Sequence, residues 1–247
     1  MSGPASGGSP LHPFSFRNAK LVAHVSGALL WPAEKVLVVS DLHLEKGAAF
    51  ASAGTFLPPY DTAETLDRLE ALIASTKPET VISLGDSFHN PAVIAALSED
   101  VLARIRRLTG SVGRFIWVTG NHDPEVPEHF GGEVHEDFAH GPLHFRHEAS
   151  PLFPQPGEIS GHWHPKASIR SAQNNRPLTR PCFIHDHLRL ILPAFGAFTG
   201  GLNVSHPAVV SLFSHNSDGS GTGLTNCAVY LMGRQQIAAV RGSALLR

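Results

Sequence analysis

Cysteine is almost missing from this 247-residue chain, and the two present, Cys182 and Cys227, match no zinc-binding pattern and cannot form a disulfide framework. That scarcity fits a reducing compartment, and the cytoplasm is the expected location. No apolar run approaches the ~20 residues needed to span a bilayer, so no membrane role is expected. An excess of one charge is missing too. A net charge of −2 and a pI near 6.8 carry no global signature of nucleic-acid binding, so any such function rests on a local patch. The beginning of the chain lacks the basic segment and apolar run of a signal peptide. Met1 to Pro13 offers Ser, Gly and Pro with almost nothing to bury, and residues 1–17 are read as a disordered tail ahead of one domain over residues 18–247. No linker or internal repeat divides the remainder.

Histidine is the residue in excess, at 16 copies, but many lie outside any motif and abundance alone identifies no ligand. Hydrophobic patterning is more informative. Val36 to Val39, Val81 to Leu84 and Phe115 to Val118 are short, continuous apolar runs, the pattern of strands buried on both faces. Between them, Asp61 and Glu64 read as a capping box ahead of a helical face of Leu66, Leu69, Leu72 and Ile73. Pro91 opens a second helical stretch with Val101, Leu102, Ile105 and Leu108 on one side. This alternation predicts a parallel sheet with functional loops at its carboxyl edge. Beyond Asp123, Leu143 to Arg146, Gly157 to Ser160, Leu188 to Leu192, Val209 to Phe213 and Ala228 to Met232 read as strands of a second sheet. The expected architecture is an α/β fold, a β-sandwich flanked by helices.

Five polar clusters punctuate this pattern in order: Asp41-Leu42-His43, Gly85-Asp86, Gly120-Asn121-His122-Asp123, His147 and Gly161-His162-Trp163-His164. Each follows a predicted strand. Carboxylate, amide oxygen and imidazole together form the donor set of a pair of divalent cations. A carboxylate suits the shared position because it offers two oxygens and offsets repulsion between the ions, which makes Asp86 the expected bridge. Asp41, His43 and His164 then complete one site, and Asn121, His147 and His162 the other. The fourth cluster is the least determined, since His135, His140 and His144 compete with His147. Strand phasing favours His147, which ends the Leu143 to Arg146 run, whereas His144 lies within it and His140 precedes a Gly-Pro turn. Two ions roughly 3.5–4 Å apart support in-line attack on a phosphoryl group, so a phosphate ester is the expected substrate. His122, beside a ligand, is the candidate for leaving-group protonation, with Asp123 orienting its ring. His89 and Arg146 are further candidates for substrate contact, and Lys166, Arg170, Arg176 and Arg180 follow the last cluster as a candidate nucleic-acid patch.

These clusters resemble the calcineurin-like metallophosphoesterase superfamily over roughly Val36 to His164. The resemblance implies a four-layer α/β/β/α sandwich with two mixed β-sheets and the ligand roles given above. Asp41-Leu42-His43-Leu44-Glu45-Lys46-Gly47, Leu57-Pro58-Pro59-Tyr60-Asp61-Thr62, Gly85-Asp86-Ser87-Phe88-His89 and the Leu192 to Asn203 segment are similar to the ligase-associated DNA damage response endonuclease family. Asn90 stands where that family is expected to carry Asp. The narrower resemblance implies an endonuclease acting on DNA, single-stranded or structured, alongside a repair DNA ligase and helicase. It also implies Mn²⁺ as the working metal, although such mixed sites admit Fe, Zn or Co. Two other readings stay open: a phosphoesterase of nucleotides, cyclic nucleotides or a pyrophosphate-linked lipid precursor, and a metal-binding scaffold of a repair complex.

Overall fold

Two mixed sheets lie face to face in the computed structural model, which describes residues 9–47, 61–150, 155–197, 199–214 and 223–246. The first has seven strands in chain order: β1 (Leu11–Phe16), β2 (Ala19–His24), β3 (Leu29–Trp31), β4 (Val36–Ser40), β5 (Thr80–Leu84), β6 (Arg114–Val118) and β7 (Glu133–His135). Strands β1 to β4 pair antiparallel, and β4 to β7 parallel. The second comprises β8 (Asp137–His140), β9 (Leu143–Arg146), β10 (Glu158–Ser160), β11 (Lys166–Arg170), β12 (Pro177–His185), β13 (Arg189–Ile191), β14 (Ala228–Met232) and β15 (Ile237–Arg241). Its order is β15-β14-β12-β13-β10-β9-β8, with β11 paired to β12.

Alternation of side chains along the strands explains the layering. Val36, Val38, Ile82, Leu84, Ile116 and Val118 point between the sheets, where they meet Phe145, Ile159, Phe183, Leu190 and Leu192. Leu37, Val39, Val81, Phe115 and Trp117 point the other way, against Leu66, Leu69 and Leu72 of α1 (Asp61–Thr76) and Ile105 and Leu108 further along the chain. The stretch opened by Pro91 is two helices, α2 (Pro91–Ala95) and α3 (Glu99–Thr109), because Asn90 and Ser98 each cap a helix by accepting a backbone N–H, from Val93 and Val101. On the outer face of the second sheet, Ile184, Ile191, Val229 and Leu231 pack on α4 (Pro207–Leu212). The result is the four-layer α/β/β/α sandwich. Among the described residues no helix is long and apolar enough to cross a membrane.

Two local expectations are corrected. Leu11–Phe16, read as part of a disordered tail, pairs with β2 along its whole length. Phe14 stacks on His185 at 5.1 Å between ring centroids, and Phe16 is buried, so two aromatics anchor a segment that looked empty of core residues. Val209 to Phe213, read as a strand, is helical because Pro207 occupies the first turn and the His206 ring accepts the Ala208 N–H. The short apolar run there buries Val209 and Leu212 on one helical face. The Leu57 to Tyr60 part of the second motif and Phe198 lie outside the described residues.

Candidate metal centre

Parallel register brings the motifs to one edge. Ser40 pairs with Leu84 and Leu84 with Val118, so β4, β5 and β6 end side by side and release Asp41, Asp86 and Asn121 together. From the second sheet, β9 ends at Arg146 before His147, and β10 at Ser160 before Gly161 and His162. The loops are laced together by backbone bonds: His43 N–H donates to Asp86 O at 2.9 Å, Leu44 N–H to Ser87 O at 2.9 Å and Gly161 N–H to His147 O at 2.9 Å. Turning each strand sharply into its loop puts Asp41, His43, Asp86, His162 and His164 at positive φ, between 42° and 67°. That conformation costs a non-glycine residue roughly 1–2 kcal/mol, and strain of this kind collects at functional sites.

Two donor groups result, Asp41 with His43 and His164, and Asp86 with His147 and His162, with the ligand atoms of each group all within 4.8 Å of one another. His164 Nε2 lies 3.2 Å from Asp41 Oδ1 and 3.3 Å from His43 Nε2. His147 Nε2 lies 3.4 Å from Asp86 Oδ1 and 3.1 Å from His162 Nδ1. Donors about 2.0–2.2 Å from a common ion sit about 3.0–3.5 Å apart, so the spacing and chemistry of both groups suit a divalent cation. Asp86 faces both ways, its other oxygen 4.0 Å from His43 Nε2.

Each side chain is held from behind. The His147 ring donates from Nδ1 to Leu84 O at 3.0 Å, which turns Nε2 toward the site. The His162 N–H donates to both Asp41 oxygens, at 3.1 and 3.0 Å, and the Ser40 hydroxyl donates to Oδ2 as well. Glycines leave the room: a Cβ on Gly85 would strike the His147 ring, and one on Gly120 would strike the Asp86 carboxylate. Burial pushes the His43 ring down to about 4, against the pull of Asp41. Burial also opposes a charged His147, but its contacts with Asp86 and Asp41 outweigh this and push it up to about 9. Despite burial, contact with His147 holds Asp86 below the usual carboxylate range, and contact with His164 and then His147 does the same for Asp41.

Asp123 does not orient His122. It is fully buried and accepts the N–H groups of Asp86 and Gly120 at 2.9 Å, Ser87 at 2.6 Å and Phe88 at 3.2 Å. It is the clamp of the Asp86 loop. Burial and the nearby Asp86 charge push its pKa up to about 7. The His122 ring instead contacts His89 O through Nδ1 at 2.9 Å, and its Nε2 stands 3.9 Å from Asp86 Oδ2. Nearly half exposed, it lies at the open side of the site, stacked on the His89 ring at 5.6 Å. Asn121 is exposed at the same edge. His140, the discarded competitor, pairs with Glu34 at 3.2 Å.

Arg146 is committed to Asp137 at 3.2 Å and Glu158 at 3.5 Å, which leaves its charge neutralised. Lys166, Arg170, Arg176 and Arg180 belong to the β11–β12 hairpin and do not share one face, since Arg180 stands opposite buried Ala167 whereas Lys166 and Arg170 alternate with it. Sequence reasoning overlooked Ser40, the Asp123 clamp and Glu148, whose Oε1 is 3.6 Å from His162 Nε2. Adjacency to ligand residues was the only signal for Ser40 and Glu148. The Leu192 to Asn203 segment also acquires a physical role: Phe195 N–H donates to Ser40 O at 2.7 Å and Gly196 N–H to Asp41 O at 3.1 Å, bracing the first ligand loop.

Residues 34–217 match the model of the calcineurin-like phosphoesterase family. The chain belongs to that family. As a calcineurin-like phosphoesterase it is a metal-dependent enzyme, and its two donor groups suit two divalent metals. A solved structure of a nuclease, MPE, from Pseudomonas putida is similar, with a TM-score of 0.68 and 26% identity over 93% of this chain and 100% of that one. The phosphoesterase Yfce from E. coli matches at a TM-score of 0.41 and 14% identity over 83% of this chain and 98% of that one. No curated protein matches the chain.

Proposed function

We propose that this calcineurin-like phosphoesterase is a binuclear phosphodiesterase that cuts DNA, single-stranded or structured, as an endonuclease of DNA repair. The observation that carries the reading is the meeting of two three-residue donor groups at one carboxylate, Asp86, with one oxygen toward His147 and the other toward His43. Likeness to a nuclease along almost the whole chain supports nucleic acid as the substrate class.

In this reading Asp41, His43 and His164 would hold one ion and Asn121, His147 and His162 the other, with Asp86 between them. Bound there, a pair of divalent ions, Mn²⁺ by family resemblance, supplies a water of lowered pKa and stabilises charge on the phosphoryl oxygens. The protein supplies the acid. His122 Nδ1–H donates to His89 O, so the proton available for transfer sits on Nε2, which faces the site. Protonated His122 gives that proton to the departing sugar oxygen. Its partial exposure leaves room for a polymer on the open side of the site. A repair ligase and helicase are the proposed partners, and the cytoplasm the proposed location.

Purified protein loaded with Mn²⁺ is expected to cleave single-stranded DNA internally. Rapid hydrolysis of a mononucleotide, cyclic nucleotide or pyrophosphate-linked lipid precursor, with DNA left intact, would reassign the substrate. Tight metal binding without turnover of any phosphoester would instead favour a scaffold.

A further inference from the structure

We propose that one face of the β11–β12 hairpin, the row Lys166, Ser168 with Thr179 and Asn203, and Arg170, carries the backbone of single-stranded DNA away from the metal centre. This rests on the nuclease reading and specifies which surface the substrate follows.

The row is set by register. Lys166 pairs with Pro181, Ala167 with Arg180, Ser168 with Thr179 and Arg170 with Pro177. Side chains alternate across the ribbon, so Lys166, Ser168 and Arg170 share a face. The Ser168 and Thr179 hydroxyls are 2.8 Å apart, and Asn203 Nδ2 donates to Ser168 Oγ at 2.9 Å, so a polar, hydrogen-bonded patch separates the two cations. Ala167 and Ile169, on the other face, pack into the apolar cluster beneath α4. Arg180 shares that side, and its Nη1 donates to its neighbour Thr179 O at 3.0 Å.

One end of the row begins beside the site. Lys166 follows His164 by two residues, and Gly201 allows their approach: a Cβ there would lie 3.1 Å from both the Lys166 Cε and the His164 Cβ. From Lys166 to Arg170 the strand spans about 13 Å, roughly the length of four stacked nucleotides. Arg170 Nη1 donates to Asn175 O at 3.2 Å, which holds the guanidinium at the turn without neutralising it.

Charge supports the same occupant. Among the described residues neither Lys166 nor Arg170 has a carboxylate partner, and no acidic residue occurs from Ile159 to His185. From Ile159 to Arg247 eight Lys and Arg stand against Asp186 and Asp218 alone, whereas residues 1–158 hold eleven basic and nineteen acidic residues. The near-neutral chain is therefore polarised, and its basic part contains the hairpin. Cations interleaved with hydroxyl and amide donors form a surface that tracks phosphates without reading bases.

The test is fluorescence anisotropy of a short labelled oligothymidylate on metal-loaded protein, with turnover blocked by His122→Ala in every sample. Lys166→Gln/Arg170→Gln is expected to weaken binding about tenfold and to flatten the slope of log affinity against log salt by about 1.4, the loss of two single-strand phosphate contacts. Each single substitution should remove about half of that slope change, so one misfolded variant does not decide the outcome, and thermal melting reports folding. Arg180→Gln should keep the parent slope. A double variant with an unchanged slope, or an Arg180→Gln slope as flat as that of the double variant, would overturn the proposed track. Failure of the unmodified enzyme to bind or cut DNA, while it hydrolyses bis(p-nitrophenyl) phosphate, would instead overturn the nuclease reading beneath it.

Discussion

At the scale of single residues, Asp86 carries the greatest demand, because its two oxygens face different donor groups. Asp86→Asn keeps the shape but loses the charge that offsets repulsion between two cations. It is expected to abolish turnover and lower bound metal below two per chain; elemental analysis showing two tightly held metals with near-normal turnover would remove Asp86 from the bridging role. His122 differs in kind, since its ring binds His89 O and reaches the site only with Nε2. His122→Ala should keep both metals and lose roughly 10²–10⁴-fold in turnover, the usual range for acid–base assistance. The loss should shrink for a diester with a good leaving group. Equal losses with p-nitrophenyl and alkyl diesters would argue against the acid role.

At the scale of elements, the ligand loops hold one another. Asp123, on the loop after β6, gathers four N–H groups, three of them from the loop after β5. Asp123→Asn swaps one accepting oxygen for an amide that meets N–H groups head on. We expect a loss of about 1–3 kcal/mol, the cost of unsatisfied buried donors, together with weaker metal binding. Urea unfolding and metal titration measure the two effects; unchanged values in both would show that the clamp is dispensable. Gly120 belongs to the same element, and a side chain there would displace the Asp86 carboxylate.

At the scale of the whole molecule, stability is expected to follow pH through histidines far from the metal centre. His24 and His185 are held below their ordinary value of 6.5, chiefly by burial. His185 sits between Tyr230 Oη at 2.9 Å and Asp186 O at 3.0 Å, an arrangement made for the neutral ring, which accepts from the hydroxyl and donates to the carbonyl. Below about pH 6.5 these two rings take up protons in the unfolded chain that the folded chain resists, so the stability they contribute is lost as pH falls. His147 and Asp123, pushed up in the metal-free protein, act in the opposite sense, so the share of His185 is read by difference: from pH 7.5 to pH 5.5 metal-free His185→Gln should lose less melting temperature, or gain more, than the parent. A His185→Gln profile identical to the parent would locate the dependence elsewhere. Chelation at constant pH should lower the melting temperature as well, since metal at a hundredfold excess over its dissociation constant contributes about 2.7 kcal/mol.

The order of motifs in the sequence was enough to point to the family. Apolar runs at Val36 to Val39, Val81 to Leu84 and Phe115 to Val118 are local patterns, and each ends at a polar cluster, so strands, ligand loops and donor types were legible from neighbours in the chain. The place of His147 beside Asp86 and His162 was also legible, because strand phasing is a local property. Val209 to Phe213 was not, since a short apolar run buries equally well as strand or helix until a cap such as His206 decides. Nor was β1, whose aromatic rings meet His185 of β12 and Tyr230 of β14, far along the chain. The partner of Asp123, the neutralisation of Arg146 and the division of the hairpin cations between two faces were decided by tertiary structure alone. Each depends on which distant backbone or carboxylate lies within about 3 Å of a polar atom, a range at which hydrogen bonds act, and sequence adjacency carries no record of that distance.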